Sequence, residues 1–547
     1  RQLAIDEDVA SRRQLRAAHA DLAGRRRIGP AQVVVPRLGA DVAEDRLEPI
    51  ERFIAEAISL GRPILGVCLG AQLLATVQVH LSNLRLLSEM AAVAAAGFQP
   101  VPNLLVMPLL AGMKTAFGGG VFFTLSVGAG LSLLAAAAGA AAAGGSSRRL
   151  PLIAAGGLIW VAALLTINGN GFNLWASLYL AVIPPPVLAM AWGLLRVERP
   201  AWRPLLLTRA VPIALLAAGW FTQYDPHLFT DLRDHLLMSN QVGERVSSFY
   251  YRYTLYPAEA FKSRQQRQLN ALRLEPLAVD RHRTPVAKAL IRNDWLPVAA
   301  AAGLVAAIDA GEKRLQFSEN GEPLAEVGIE RFLADPRAVL DRVSEASDRW
   351  GSFRSFTFWS VLLAFPVALY LLAFALLRLA IGLLAAPRNA DPATAALCLL
   401  LGLGILVGFA ASREETPRPD GFAAALASER WQKQAVALRA IRATGTDICE
   451  LSGWQGLQNA APPQVRYWFA KALAASHCPD ASAALLRLLA DPHLNVRTMA
   501  LEALAERREP GTRERVQTFI IDSREWYDQL YAYRALRALG WIQTGAP

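Results

Sequence analysis

The sequence predicts a mainly α, polytopic helical membrane protein. Long uncharged apolar segments recur between Ala91 and Ala411, charged regions flank them on both sides, and a polar interval interrupts them. Val121–Ala143 carries no charge and is long enough to cross about 30 Å of hydrocarbon as a helix. Backbone polar groups in lipid must be satisfied within the segment, which selects a helix over an isolated strand. The chain is 53% hydrophobic and 19% charged, whereas a soluble domain carries about 25% charged residues.

The elements follow in order. Gln2–Arg27 reads as a charged helix. Ala31–Val35 is a short apolar, β-branched run that suits a buried strand. Glu44–Leu60 has helical apolar spacing, Pro63–Val67 reads as a second strand, and helix resumes at Gly70. Residues 1–88 are therefore expected to be a partial α/β segment. Ala91–Met113 is apolar but contains Pro100, Pro102 and Pro108, so it is either a broken span or a re-entrant piece. Clearer spans are expected at Val121–Ala143, Leu150–Ile167, Leu174–Leu195, Leu205–Trp220, Phe356–Leu384 and Ala393–Ala411. Pro184, Pro185 and Pro186 must kink or break the third of these. The predicted domains are thus 1–88, a helical membrane region 89–220, an α+β insert 221–355, two further spans in 356–411, and a helical region 412–547.

Arginine placement sets an orientation. Arg148 and Arg149, then Arg196, Arg199 and Arg203, then Arg378 and Arg388 fall in or beside alternate short loops. Basic short loops face the cytoplasm. Residues 221–355 and 412–547 are then extracytoplasmic, in a bacterial inner membrane the periplasm. If Ala91–Met113 crosses, residues 1–88 are cytoplasmic; if it does not, they lie outside. The net charge of +10 comes without a basic block interleaved with aromatics, so nucleic acid is not expected as a partner.

In the insert, Asn320-Gly321 between apolar-alternating runs predicts a β-hairpin. Helical patterns are read before it at Pro257–Leu272 and after it at Gly328–Trp350. The tyrosine-rich Phe249–Ser263 is expected in a core or at a membrane interface, with a ligand surface as the alternative.

The C-terminal region repeats itself. Pro463–Ala474 and Asn495–Ala505 share Val-Arg followed by an Ala-Leu-Ala-like face, and weaker copies occur at Trp431–Ala443 and Trp526–Trp541. Leu488–Glu506 resembles a HEAT-type repeat. One helix pair cannot bury its apolar stripe alone, so neighbours stack into a solenoid. The resemblance implies a binding surface for other membrane or periplasmic proteins, and an Arg497 that bridges to an acidic group of the next repeat. The sequence has four cysteines. Cys449 and Cys478 both fall in this region, and if it lies outside the cytoplasm they are the candidates for a disulfide.

One motif looks catalytic. Gly61–Ala75 reads GRPILGVCLGAQLLA. It resembles the nucleophile elbow of class I glutamine amidotransferases, with Gly66, Cys68, Gly70 and Gln72 on the family's positions. The resemblance implies Cys68 as nucleophile, its thiolate favoured at a helix N-terminus, the Leu69 N–H as oxyanion donor, and Gln72 on the substrate amide. Val33–Ala40 resembles the strand and loop that supply the second oxyanion donor, with Arg37 where the family has glycine. None of the seven histidines is followed by x-Glu, the family's base motif. Asp225, His227, Asp231, Asp234 and His235 cluster after Trp220, either as a metal site or, more simply, as a solvated juxtamembrane helix. No Walker A loop, HExxH motif or dinucleotide fingerprint occurs, and no cofactor is expected. The expected function is a membrane scaffold or accessory subunit that displays extracytoplasmic binding domains in a lipid bilayer. The alternatives are a membrane-tethered amidotransferase-like protein and a transporter component.

Overall fold

The computed structural model describes residues 44–143, 149–197, 204, 206–275, 282–299, 303–309, 313–383 and 387–544. The chain divides into two compact units, Arg1–Arg62 and Pro63–Pro547. Of the first, only the backbone of 44–62 is described, and it is helical. The expected helix at Gln2–Arg27, the strand at Ala31–Val35 and the loop at Val33–Ala40 with Arg37 lie outside the described residues.

Helix α1 runs without interruption over Glu44–Ala95. This corrects the expected strand at Pro63–Val67 and the turn at Cys68. A short apolar run cannot be told from a buried helical stretch by periodicity. Here the uncharged run continues from Pro63 to Val79, longer than a strand needs. The chain then leaves the helix through Gly97, whose φ of 76° closes the C-terminus.

Among the described residues four helices are long and apolar enough to cross a membrane: α2 (Met113–Ala140), α4 (Leu174–Trp192), α12 (Gly351–Gly382) and, within α13 (Pro387–Ser412), the stretch Asn389–Ser412. Two shorter apolar helices, α3 (Ala154–Ile167) and α5 (Leu206–Phe221), accompany them. The backbone of α4 breaks at Ile183, immediately before the three prolines. Helices α2 and α12 meet at Gly130, where Ser360 Oγ accepts from Gly130 N at 2.9 Å and donates to Ser126 O. A side chain at Gly130 would occupy the place of the Ser360 hydroxyl. These helices turn large apolar side chains outward: Leu158 is 71% exposed and Leu400 67%.

After α5 come α6 (228–237), a turn at 238–240, α7 (Gln241–Tyr253), capped by the Asn240 side chain, and α8 (Leu255–Phe261). A mixed five-stranded sheet follows, in the order β2-β1-β3-β4-β5. Its strands are β1 (Asn270–Leu274), β2 (Trp295–Pro297), β3 (Leu304–Asp309), β4 (Arg314–Glu319) and β5 (Glu322–Gly328). Strand β1 is parallel to β2 and β3, and β3-β4-β5 is an antiparallel meander. The β4-β5 hairpin turns at Asn320 and Gly321, both at positive φ, as the Asn-Gly pair requires. Helices α9 (Arg283–Arg292), α10 (Ile329–Ala334) and α11 (Pro336–Ala346) cover the sheet around Leu272, Phe317, Phe332 and Val343. The helix expected over Pro257–Leu272 ends instead at Phe261, and β1 begins at Asn270. Burial of Asn270, Ala271 and Leu272 between two parallel neighbours overrides the local helical pattern.

The C-terminal helices are α14 (Trp431–Thr444), α15 (Pro463–Leu473), α16 (Pro479–Leu488), α17 (Leu494–Arg507), α18 (Thr512–Asp522) and α19 (Trp526–Ala538). Helices α14, α15, α17 and α19 stack in one layer, with α16 and α18 in a second. Val465, Phe469, Leu485, Val496 and Leu504 are buried between them.

Candidate interaction module at the ends of the apolar helices

The acidic cluster after α5 is neither a metal site nor a solvated helix. Asp231 and Asp234 are buried. Arg439 of α14 binds Asp231 Oδ1 at 2.8 Å, and Arg413, just past α13, sits 3.1 Å from Asp231 Oδ2 and also pairs with Asp225. Asp234 takes Arg233 at 2.6 Å and the Trp468 indole N–H at 3.0 Å. Burial pushes the Asp234 carboxyl up against the opposing pull of Arg233. His235 Nδ1 meets Ser412 Oγ at 2.8 Å, and burial pushes its pKa down. The Gln464 amide donates to the carbonyls of Asp234 (3.1 Å) and Met238 (3.0 Å), which would otherwise end the 228–237 helix unpaired. The repeat layer α14, α15 and α17 is thereby clamped onto the segment that follows α5. The sequence could place the charges together but could not show that Arg413 and Arg439, some 200 residues away, pair with Asp225 and Asp231.

A second joint closes the other end of the layer. Asn103 is buried, accepts from Leu105 N, and donates to the carbonyls of Ile520 (2.9 Å) and Ile521 (3.0 Å). Gln529 Oε1 accepts from Asn103 N at 2.9 Å, and Gln99 and Gln543 exchange two hydrogen bonds. Phe98, Val101 and Val106 share a core with Ile520, Trp526 and Tyr533. Residues 98–110 therefore dock on the repeat region, and Ala91–Met113 is broken between Ala95 and Met107 instead of forming one continuous apolar helix. Asp294, after α9, accepts from Tyr533 Oη at 2.6 Å and Arg537 Nε at 3.0 Å, tying the sheet to α19.

Between repeats, arginines bridge to acids. Arg466 binds Asp491 through both carboxylate oxygens, at 2.5 and 3.1 Å, and Arg497 binds Asp528 at 2.8 Å, the bridge the repeat resemblance implied. Burial pushes the Asp528 carboxyl up to about 6. Cys449 and Cys478 are joined as a disulfide. Asp447 lies close enough to both sulfurs to resemble a metal cluster, but its oxygens accept from Cys449 N and His477 N and the sulfurs are bonded to each other.

The tyrosine-rich segment splits in two. Tyr253 and Tyr256 pack inward, Tyr256 edge-on to Trp526. Phe249 and Tyr250 are exposed and lie against Phe122 of α2, the first tilted and the second edge-on, and Val242 and Val246 on the same face of α7 are also exposed.

The amidotransferase-like positions form no elbow. Cys68 lies in the interior of α1, so no helix N-terminus reaches it. Gly66, Leu69 and Gly70 are likewise mid-helix. Gln72 donates to the Phe117 carbonyl at 3.0 Å and so serves the α1–α2 contact.

No curated protein and no solved structure matches the chain. Residues 454–540 match a family model described as HEAT repeats. With its two stacked layers and its Arg–Asp bridges, the C-terminal part of this chain is a HEAT-like repeat region.

Proposed function

We propose that the chain is an integral membrane scaffold or accessory subunit. It holds one extracytoplasmic module, the sheet and the repeat region together, against the membrane for other membrane or periplasmic proteins to bind. The observation that carries this is the belt of outward-facing leucine, isoleucine and valine on α2–α5, α12 and α13, with a polar body joined to one end of it. Exposed apolar area on that scale is tolerated in lipid and not in water. The exposed apolar face of α7, level with Phe122, suits the membrane–water interface. Two independent features support the extracytoplasmic side: the arginines in the short connections between the apolar segments of the sequence, and the Cys449–Cys478 disulfide, which persists in oxidising compartments.

The first repeat layer and the C-terminal end of α18 are occupied by this chain's own segments, so the rest of the outward layer is the surface left for a partner. Arg513, Glu514, Arg515 and Ile521 of α18 are exposed there. HEAT-type layers generally mediate protein–protein contacts, and this face is offered without disturbing the clamp. Mild detergent extraction of the full chain should co-purify a defined partner, and Arg513→Glu with Arg515→Glu should release it while the melting temperature holds. A chain that emerges alone, or a partner retained by the double variant, removes this reading.

A further inference from the structure

Two short segments of the first repeat converge beside the disulfide. Asp447 and Cys449 belong to the turn of 3-10 helix at Ile448–Glu450, which follows α14. Cys478 stands immediately before α16, at its N-cap position. The two cysteine Cα atoms are 6.2 Å apart. A carboxylate oxygen of Asp447 and both sulfurs lie within 4.8 Å of one another. All three residues are half-buried, so the cluster is open to solvent.

The disulfide is not what brings these segments together. Asp447 spans them, with Oδ1 accepting from Cys449 N at 3.0 Å and Oδ2 from His477 N at 2.9 Å. Ile448 is fully buried in the repeat core, and its N–H donates to Ser476 Oγ at 3.2 Å. Arg507 of α17 donates to the carbonyls of Ser476 and Cys478, the latter at 3.0 Å. These contacts remain when the sulfurs part, so reduction leaves two thiols and a carboxylate facing one small volume. Each Asp447 oxygen has accepted one backbone N–H and keeps a second lone pair.

We propose that Asp447, Cys449 and Cys478 form a zinc site in the reduced protein. Zinc takes thiolate sulfur at about 2.3 Å and carboxylate oxygen at about 2.0–2.2 Å in a tetrahedral arrangement. Two thiolates select it over magnesium and calcium, which prefer oxygen. Water completes the fourth position. The site exists only after reduction, because sulfurs bonded to each other have no thiolate to give. A dithiol reductant supplies two electrons and two protons to the Cys449–Cys478 bond and closes its own cyclic disulfide. The metal then displaces the two thiol protons and forms two zinc–sulfur bonds. The same two sulfurs thus staple the first repeat covalently in oxidising surroundings and through a metal ion in reducing ones. The site does not depend on the membrane reading above.

The test uses the full chain in detergent, reduced with dithiothreitol in the presence of a chelator and then desalted without air. Cobalt(II) is the optical probe and zinc the competitor. One equivalent of cobalt should give the near-ultraviolet thiolate charge-transfer band and the visible bands of a four-coordinate ion, and zinc should bleach both. The oxidised chain should give neither. Asp447→Asn should weaken cobalt binding by at least about tenfold, the scale on which even the outer partners of a metal act. The paired Cys449→Ser, Cys478→Ser variant should lose the charge-transfer band. A second measurement needs no variant: zinc should slow alkylation of Cys449 and Cys478 by iodoacetamide in the reduced wild type, read by mass spectrometry. Three outcomes overturn the proposal. They are a reduced wild type without the band or without protection of the two thiols, a band retained by the paired serine variant, and an unchanged cobalt affinity in a folded Asp447→Asn chain.

Discussion

Arg497 reaches out of its own repeat and holds Asp528 of the next, Nε to Oδ2 at 2.8 Å, while its Nη1 donates to the Asp491 carbonyl at 2.8 Å. Asp491 in turn holds Arg466 of the repeat before. The two pairs form a relay along the stacked helices, so that each repeat fixes the turn of its neighbour. Arg507 adds a third tie, donating to the carbonyls of Leu473 and Cys478 across the repeat boundary.

Arg497→Ala leaves Asp528 buried without its cation. Breaking a buried ion pair from one side costs about 3–5 kcal/mol. Thermal unfolding of the full chain, followed by tryptophan fluorescence, should show the repeat transition moved down by several degrees. An unchanged midpoint would mean that the pair is idle.

The Asp528 carboxyl also predicts a pH dependence. Burial raises its pKa from 3.8 to about 6. The folded state therefore holds a proton between those values that the unfolded state has released. The stability this group contributes is full below about 4 and is lost as pH rises through about 6. Asp528→Asn removes the titration, so the variant should gain on the wild type by on the order of 1–3 kcal/mol between pH 4 and pH 7. Melting curves at the two pH values check it, and a constant difference between variant and wild type would contradict it. Asp234 and Asp294, also raised by burial, are common to both proteins and cancel in the comparison.

Reduction should loosen the first repeat. The Cys449–Cys478 bridge closes a sequence separation of 29 residues, for which loop-closure entropy gives about 3–4 kcal/mol. Dithiothreitol should lower the repeat transition of the wild type and leave the paired Cys449→Ser, Cys478→Ser variant where it is. Equal response of the two proteins would show that the bridge carries no stability.

Asp231 joins the segment after α5 to both Arg413 and Arg439. Asp231→Ala leaves two arginines facing each other across a buried gap. Limited proteolysis should then cut the 412–430 connection faster and release the repeat region, whereas the wild type stays intact. Equal cleavage rates would place the holding contacts elsewhere, at Asn103 and Asp294.

Topology follows from the crossing count. Under the proposed membrane reading α12 and α13 return the chain to the side it left, so cysteines placed at the exposed Glu322 and Arg513 should both react with an impermeant thiol reagent on intact cells. Reaction of one site alone would break the two-crossing count.

The sequence by itself determined the apolar helices, because a run without charge leaves the backbone one way to satisfy itself in lipid. It also determined the β4-β5 hairpin, through the positive φ that Asn320-Gly321 accepts, and the stacked repeats, through their shared Val-Arg and Ala-Leu-Ala faces. Arg497 was legible as a bridge through the resemblance to HEAT-type repeats. Other features were decided only by tertiary structure. Pro63–Val67 is as apolar as a strand, and nothing local tells it from the helix it joins. Strand β1 exists because β2 and β3 pair with it. The aspartates after α5 became a clamp because Arg413, Arg439 and Trp468 arrive from far along the chain to neutralise them in a buried place. Charge and periodicity are local properties, and burial is not, so most elements were readable in advance and the buried contacts between distant segments were not.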